Sequence, residues 1–503
     1  MSQDNQPRRN ERGRTRNRGQ GAGPRQFSQS APAARKRSAD PARLVAFKVL
    51  REVSEADAYA NLVLPKMIRT YQLDKRDAGF ATELAYGALR GQGFYDGILA
   101  TLVDRPLEEL DPAIRDALRL GAHQLLAMRV PQHAALDETV SLARAQIGAG
   151  PSGLINAVLR RVTARDAQEW AAELAAGASN DTARLAIEHS HPEWVARALH
   201  QALKAHGRDG QELEQLLRAD NLAPVVNLVA LPGLADIEQV LAAGAEPGEL
   251  LADSATYQQG DISRVPGVRS GVVRAQDAGS QIMARALAGA ELPDPTDGDR
   301  YWLDLCAGPG GKAALLGALA VQRDARLTAN EPTAHRARLV EQSLAPVDPG
   351  YWMVDSRDGR DFGGAEFAGD YDRIMVDAPC SGLGALRRRP EARWRKTPRD
   401  IQPLAQLQGE LLDAAFSAVR PGGVIGYVTC SPHQVETRQV VQDFLQRNPQ
   451  ARLLDTAAAI NSVLLPEVRV QGTELGESGN TVQLWPHLQR TDAMFMALLT
   501  KTA

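Results

Sequence analysis

The stretch DLCAGPGGK, residues 304–312, decides the fold of the C-terminal half of the chain. It ends the apolar run YWLDL and precedes AALLGALA, so the pattern predicts a strand, a glycine-rich turn and a helix in that order. Four more short apolar runs alternate with helical patterns downstream: RLTAN, YWMV, DRIMVD and GVIGYVT. This alternation predicts a doubly wound, mostly parallel α/β sheet over residues 275–503.

The remaining 274 residues predict three further segments. Residues 41–180 have helical periodicity throughout, with Asp111 and Pro112 as one helix-start signal, and predict a compact all-helical domain. Residues 181–274 mix helix-like and strand-like runs and predict a small α+β module. Residues 1–40 carry ten basic and three acidic side chains among few apolar ones, and predict a disordered basic arm. Such an arm either attracts nucleic acid or has no specific role, and the sequence does not favour one of these alternatives over the other.

Composition excludes several classes of protein. The 503 residues are 44% hydrophobic and 24% charged, which is typical of a soluble globular chain. We expect no membrane-spanning helix and no secretory signal, because no apolar stretch has the required length or position. Three cysteines cannot form a disulfide framework, and no Cys/His cluster has zinc-site spacing. We therefore expect a cytoplasmic monomer without a bound metal or a membrane partner.

The glycine-rich turn is the first candidate binding site, because ligands of open parallel sheets bind beyond the carboxyl ends of the strands. Its glycines allow the backbone to approach a ligand closely. A Walker A phosphate loop is excluded, since Cys306 occupies the position of its first glycine and Ala313 replaces the Ser/Thr. A dinucleotide loop and a simple tight turn both remain open from this pattern alone.

Acidic residues and cysteines follow the other predicted strands. Glu331 ends RLTANE and suits ribose hydroxyls, or equally a helix N-terminus. Asp358 could accept a hydrogen bond from an exocyclic amine, or it could form its own turn. Asp377 and Cys380 follow the fourth strand, and Cys430 follows the fifth. With Cys306, all three cysteines lie at the rim of one sheet, which makes a thiolate nucleophile a candidate.

At these residues a family resemblance becomes close. DLCAGPGGK, DAPCSGLG with RRRPEARW after it, and YVTCS with Glu436 together resemble the S-adenosylmethionine-dependent RNA cytosine-5 methyltransferases. The helical domain resembles the fold of the antitermination factor NusB through RLGAHQLL, VPQHAALDETVSLAR and NAVLRRV. The combination, over residues 41–503, is similar to the members that modify small-subunit (16S) rRNA. It implies a Rossmann-like methyltransferase domain that methylates C5 of a cytosine in RNA, either free 16S rRNA or an early assembly particle.

The resemblance also implies a role for each matching residue. Cys430 would be the nucleophile that adds to C6 of the base, and Cys380 would assist product release. Asp377 would support N3 of the base or the cofactor. The S-adenosylmethionine site would comprise Cys306, Ala307, Gly308, Pro309, Gly310, Gly311, Lys312, Glu331, Asp358 and Asp377. The sequence departs from the family's usual pattern at Gly308, Glu331 and Ala493, where alanine, aspartate and glycine are more usual.

The segment ALRRRPEARWRKTPRD, 385–400, is the predicted RNA-binding surface. It adjoins the loop after the fourth strand and carries six arginines, one lysine and a tryptophan, which suits phosphate contacts and base stacking. The alternative is a solvated surface face. The residues predicted to contact RNA are Arg387, Arg388, Arg389, Arg393, Trp394 and Arg395.

Two other functions compete with this hypothesis. The chain could be a non-catalytic RNA-binding or assembly factor that retains an inactive enzyme domain. It could also be a DNA cytosine-5 methyltransferase, in which the attacking thiol would be the one that follows proline, Cys380. In that class Cys430 would have no function, so substitution of each cysteine separately discriminates between the hypotheses.

Overall fold

The structure is a computed structural model that describes residues 39–258, 260–296, 298–475 and 479–502. All but the last two residues of the predicted basic arm, 1–40, lie outside the described residues. The helices are α1 (Pro41–Glu55), α2 (Ala60–Thr70), α3 (Lys75–Arg90), α4 (Gln92–Leu102), α5 (Pro112–Leu126), α6 (Gln132–Gln146), α7 (Ala149–Val162), α8 (Ala167–Ala175), α9 (Asp181–Glu188), α10 (Glu193–Ala205), α11 (Leu213–Asp220), α12 (Ile237–Ala242), α13 (Ala278–Gly289), α14 (Gly311–Val321), α15 (Ala334–Leu344), α16 (Ala392–Arg395), α17 (Ile401–Ala418), α18 (Arg438–Arg447), α19 (Thr456–Asn461) and α20 (Pro486–Gln489).

The strands are β1 (Val226–Ala230), β2 (Glu246–Pro247), β3 (Ser254–Tyr257), β4 (Val273–Ala275), β5 (Tyr301–Asp304), β6 (Arg326–Asn330), β7 (Trp352–Asp355), β8 (Tyr371–Asp377), β9 (Val419–Thr429), β10 (Ala451–Leu453), β11 (Thr473–Glu474), β12 (Asn480–Gln483) and β13 (Phe495–Lys501). Within the described ranges, none of the helices has the length and apolar character required to cross a membrane.

The N-terminal part is helical, as predicted. Helices α1 to α8 share one hydrophobic core that includes Phe47, Leu99 and Trp170. The predicted start of α5 is present, since the side chain of Asp111 accepts a hydrogen bond from the N–H of Ala113 and Pro112 occupies the first turn. Burial of these apolar faces stabilises helices that would be marginal in isolation.

The segment 181–274 has two structural parts. Helices α9 to α11 share a hydrophobic cluster with Leu383, Leu386 and Trp485 from the C-terminal domain. Strands β1 to β4 form a separate sheet in the order β2-β3-β1-β4, with antiparallel neighbours. One cluster of buried residues packs within this small sheet, while Val229 and Leu231 join the core of the C-terminal domain. This segment therefore packs closely against the C-terminal domain.

The C-terminal domain has the predicted α/β architecture. Its central strands run parallel in the order β7-β6-β5-β8-β9, and all five correspond to the apolar runs identified in the sequence. Strand β13 pairs antiparallel with β9, and β10, β11 and β12 extend the sheet beyond it. Strands β8 and β9 are buried on both faces because helices cover the sheet on either side, which explains their continuous apolar runs.

The arginine-rich segment joins the C-terminal domain to the helices before it. Arg393 is completely buried and donates to the carbonyl of Ser190 at 3.1 Å and to Oδ1 of Asn221 at 2.8 Å. Arg395 donates to the carbonyls of Asp57 and Ala58 at 2.8 and 2.6 Å. Oxygens of the protein thus surround the guanidinium group of Arg393, while the side chain of Arg395 is partly exposed.

The prediction of RNA contact does not fit the buried position of Arg393. Burial lowers its pKa to about 10, and the guanidinium is bonded to groups inside the protein. Arg387 is also buried and donates to the carbonyl of Arg490 at 2.7 Å. The sequence pattern could not reveal this, because the oxygens that bind Arg393 are about two hundred residues away along the chain.

We expect Arg393→Met to lower the free energy of unfolding by about 2–4 kcal/mol, because it leaves buried carbonyl and amide oxygens without a donor. Urea unfolding followed by tryptophan fluorescence would measure this loss. The matched control is Arg399→Met, which removes an exposed arginine from the same segment. Equal unfolding midpoints for the two variants would contradict the joining role of Arg393.

Candidate active site

The loops after β5, β6, β8 and β9 meet at one edge of the large sheet. Strand β5 lies between β6 and β8, so the strand order reverses there. In open α/β sheets the ligand cleft lies beyond the strand ends at such a reversal. The pairing register places Asp304 beside Met375 and Asp377 beside Val428, so the ends of β5, β8 and β9 are nearly level.

The glycine-rich loop connects β5 to α14 with little space for side chains. Gly310 has a φ of 105°, in the left-handed region, and a Cβ there would lie 2.5 Å from the Cβ of Ser343. Glycine is therefore required for the turn. The thiol of Cys306 lies within this loop, and burial raises its pKa well above the usual value. Cys306 is thus a protonated thiol and a poor nucleophile.

Glu331 faces the loop from the end of β6. Its Oε1 accepts the N–H of Thr333 at 3.0 Å, and its Oε2 lies 3.2 Å from Arg336. The same Arg336 nitrogen donates to the carbonyl of Gly308 at 2.9 Å. A Cβ on Gly308 would lie 2.0 Å from Oε2 of Glu331. The two departures from the family pattern, glycine for alanine at 308 and glutamate for aspartate at 331, thus fit each other. The longer side chain of Glu331 occupies the space that the methyl group of an alanine at 308 would need.

A buried cluster of charged groups lies below the loop. Lys312 donates to Oδ2 of Asp377 at 2.8 Å; burial would lower the pKa of Lys312, but the charge of Asp377 raises it, so the ammonium ion persists. Both carboxylate oxygens of Asp304 are buried without a hydrogen-bond partner among the described residues. Burial, with the nearby charge of Asp377, raises the pKa of Asp304 to about 7. The cleft therefore has an unsatisfied acidic group that a ligand with a donor or a positive charge would suit.

Two of the three cysteines are in direct contact. The Sγ atoms of Cys380 and Cys430 are 3.4 Å apart. Hydrogen bonding with Cys380 lowers the pKa of Cys430, and burial and the charge of Asp377 oppose this shift. The charge of Lys312 also lowers the pKa of Cys430. The same bond, together with burial, raises the pKa of Cys380 well above its usual value. The two thiols therefore titrate as one pair, in which the shared proton favours Cys380.

A second ion pair lies next to the sulfurs. Arg388 forms a salt bridge with the buried carboxylate of Asp492, and Nε of Arg388 lies 3.1 Å from Oδ1. The next residue, Ala493, donates its N–H to the carbonyl of Gly384 at 2.8 Å without a positive φ. Alanine therefore fits the position where the family more often has glycine.

Other predicted site residues have different surroundings. Asp358 is bound by Arg360, whose backbone N–H and guanidinium donate to Oδ1 at 3.0 Å, and this hydrogen bonding lowers the pKa of Asp358 to about 2. Asp358 thus forms its own turn, and its cofactor role stays a prediction.

Trp394, one of the residues predicted to contact RNA, packs against the helical domain, where a Cβ on Gly93 would lie 2.2 Å from its ring. Arg389 lies over the ring of Tyr59, 4.7 Å from its centroid.

Neither Asp304 nor Asp492 has an individual role among the sequence predictions. Asp304 has a local signal, as an acidic residue at the end of an apolar strand. Asp492 had no local signal, because its proximity to Cys430 arises from the pairing of β13 with β9. Within the described ranges, no group of three or more His, Cys, Asp or Glu side chains is arranged to hold a metal ion.

The fold and the site together define a Rossmann-like methyltransferase domain preceded by a helical domain, and family models match both parts. Residues 290–500 match the family described as 16S rRNA methyltransferase RsmB/F, and residues 40–164 match the NusB family. These matches confirm the predicted resemblance and the predicted multidomain fold.

Individual relatives agree with these matches. A Mycobacterium tuberculosis protein named as a methyltransferase is 45% identical over 93% of this chain and 98% of its own length. The ribosomal RNA small subunit methyltransferase B of Pseudomonas putida is 33% identical over 82% of this chain and 91% of its own length. The solved structure of the protein PH0851 has the same fold, with a TM-score of 0.75 at 20% identity over 92% of this chain and 99% of that one.

The chain belongs to the RsmB/F family of 16S rRNA methyltransferases. Membership implies methyl transfer to rRNA and therefore a methyl donor. The hypothesis of a DNA methyltransferase is not supported by these relatives, which are named as methyltransferases of ribosomal RNA.

The shifted pKa values predict different reactivity for the three thiols. A lowered pKa increases the thiolate fraction at a given pH, so at pH 8 we expect iodoacetamide to alkylate Cys430 at least about tenfold faster than Cys380 or Cys306. Peptide mass spectrometry would measure the three rates, and urea-unfolded protein, in which the rates should converge, is the control. Faster alkylation of Cys380 would reverse the assignment of the activated thiol.

Proposed function

We propose that the chain transfers a methyl group from S-adenosylmethionine to C5 of a cytosine in 16S rRNA, through a transient covalent bond between Cys430 and C6 of the base. The observation that carries this proposal is the contact between the two sulfurs. It pairs an ionisable thiol with a thiol that remains protonated, at the strand edge where a ligand is expected.

The chemistry requires a thiolate because C5 of cytosine is a weak nucleophile. Addition of the Cys430 thiolate to C6 breaks the aromaticity of the ring and makes C5 enamine-like. Negative charge then develops at N3 and O2 of the base, and the ion pair of Lys312 with Asp377 would stabilise it. After methyl transfer, a base takes the proton from C5, and the electron pair of the broken C–H bond re-forms the C5–C6 double bond and expels the Cys430 thiolate.

Cys380 would assist the elimination. Its proton is shared with Cys430 before reaction, and it lies close enough to stabilise the departing sulfur anion by a hydrogen bond. A buried site of this kind requires the target base to leave its stack. This division of roles between two thiols is the feature that separates the proposal from a DNA-type reaction, in which Cys380 itself would attack.

The residues around the glycine loop fit S-adenosylmethionine, which supplies an electrophilic methyl group when bound. The loop after β5 permits close approach of a ligand to the backbone, and Glu331 would bind ribose hydroxyls. The unpaired carboxylate of Asp304 would suit the positive charge of the methionine portion. Asp358 would contribute to this site only if its carboxylate released Arg360 and bound the ligand instead.

The experiment that tests the proposal replaces each cysteine separately. We expect Cys430→Ala to abolish methylation of 16S rRNA, and Cys380→Ala to trap a protein–RNA adduct that migrates as one band on denaturing gels. Transfer of tritium from labelled S-adenosylmethionine and bisulfite sequencing of the RNA would measure methylation and its position. Methylation by Cys430→Ala at the wild-type rate would exclude the covalent route, and absence of C5 methylation by wild-type protein on every form of 16S rRNA would exclude the function.

A second prediction concerns the pair formed by Gly308 and Glu331. The methyl group of Gly308→Ala would overlap Oε2 of Glu331, so we expect its affinity for S-adenosylmethionine to fall by about tenfold or more, or about 1.4 kcal/mol. Combining it with Glu331→Asp, which shortens the side chain, should recover most of the affinity. Isothermal titration calorimetry would measure the binding.

The control for this pair is Gly153→Ala, in helix α7 of the helical domain, where an added Cβ contacts nothing within 4 Å. It should bind like the wild type. If Gly308→Ala binds equally well with Glu331 in place, the proposed fit between the two residues is wrong.

A further inference from the structure

Glu436 is a completely buried acidic residue close to the two sulfurs that the proposed mechanism does not use. It lies in the short helical turn Gln434–Glu436, which follows the loop after β9. Among the described residues, none of the salt bridges includes Glu436. Burial of a carboxylate without a paired cation is costly unless hydrogen bonds satisfy it. Hydrogen-bond donors must therefore stabilise the buried carboxylate of Glu436.

Four donors converge on the Glu436 carboxylate. Its Oε1 accepts from the backbone N–H of Ser381 at 2.7 Å and from Nε2 of Gln408 at 3.2 Å. Its Oε2 accepts from the hydroxyls of Ser381 at 2.5 Å and Ser431 at 2.7 Å. Four bonds match the four lone-pair sites of an ionised carboxylate, and charge-assisted bonds of this length are strong.

The donors come from the two loops that carry the reactive sulfurs. Ser381 directly follows Cys380, and Ser431 directly follows Cys430. The two serine hydroxyls also lie 3.1 Å apart. One carboxylate thus binds the residue after each cysteine, at a point where the loops have left the β8–β9 ladder.

Glu436 is itself held in place by the core. Its carbonyl accepts from the Tyr427 hydroxyl at 2.7 Å, and Tyr427 is buried in strand β9. Gln408, on α17, donates from the same Nε2 to the carbonyl of Pro379 at 2.8 Å. The carboxylate is therefore a fixed point for both loops, because rigid elements on two sides orient it.

We propose that Glu436 is a positioning residue that sets the separation of the Cys380 and Cys430 sulfurs, by acting as the common hydrogen-bond acceptor of the two loops. It touches neither sulfur, and it acts through Ser381 and Ser431. This inference rests on the proposed function for its catalytic consequence, but the sulfur separation can be measured without any substrate. A displacement of about 1 Å in such a pair is enough to cost about a hundredfold in rate.

Three variants test the proposal. Glu436→Ala removes all four bonds, and Glu436→Gln keeps the shape and one oxygen, so that its amide can still accept from the Ser381 N–H and donate to the serine oxygens. The matched control is Glu467→Gln, an exposed acidic residue of the same domain. We expect kcat for RNA methylation to fall by about a hundredfold in the alanine variant and by about tenfold in the glutamine variant. KM for S-adenosylmethionine should change by less than about threefold in each, since its predicted site, apart from Asp377, lies outside the two loops that Glu436 binds.

The second measurement reports the sulfur separation directly. Diamide takes two hydrogens from a close pair of thiols, is reduced to the hydrazide and leaves a disulfide, whose formation between Cys380 and Cys430 peptide mass spectrometry can follow. We expect this rate to fall at least about tenfold in Glu436→Ala and to stay at the wild-type value in the control. Thermal unfolding of each variant identifies any loss of folding.

Each outcome decides for or against the proposal. Wild-type kcat or a wild-type disulfide rate in Glu436→Ala overturns it. If Glu436→Ala does not fold, the same two measurements on Glu436→Gln decide instead. A folded variant that loses stability but keeps the wild-type kcat and disulfide rate would show that Glu436 has a structural role only, which overturns the proposal. If wild-type protein does not methylate RNA, the proposed function fails, while the disulfide rates still test the positioning role of Glu436.

Discussion

The parallel pairing of β8 with β9 is the constraint on which the rest of the site depends. It places Asp377 beside Val428, so the two strands end at almost the same level and the loops after them emerge side by side. Parallel strands all direct their carboxyl ends to one edge, which is why chemically active residues from distant parts of the chain accumulate there. The contact between Cys380 and Cys430 follows from this pairing.

The site concentrates charges that a stable core would normally avoid. Asp304, Lys312, Glu436 and Asp492 are all enclosed at the strand edge, and Asp304 has no hydrogen-bond partner for its carboxylate among the described residues. Each enclosed charge costs folding free energy unless it is paired or hydrogen-bonded, and perturbed pKa values accumulate where function requires them. The satisfied carboxylate of Glu436 and the unsatisfied one of Asp304 thus indicate different uses: the first orders the protein, and the second suits a ligand.

The arginine-rich segment connects this site to the helical domain. Arg388 pairs with Asp492 close to the sulfurs, while Arg393 and Arg395, a few residues later, donate to carbonyl oxygens in loops between the preceding helices. Arginine suits such positions because its planar group can satisfy several carbonyls at once. The same short segment therefore contributes both to the edge of the sheet that carries the sulfurs and to the contact with the helical domain. We expect a structural change in one of these regions to affect the other.

The sequence by itself determined the succession of elements and the chemical identity of the strand-edge residues. Apolar periodicity, the glycine turn and the position of each cysteine after a strand are local patterns, and they were sufficient for the helical domain and the five parallel strands. Tertiary structure alone decided that Cys380 and Cys430 are in contact and that Arg393 is buried. The physical reason is that pKa values and burial depend on groups that approach only in the folded chain. The two sulfurs are separated by 50 residues in sequence and by 3.4 Å in space, and no local pattern encodes that distance.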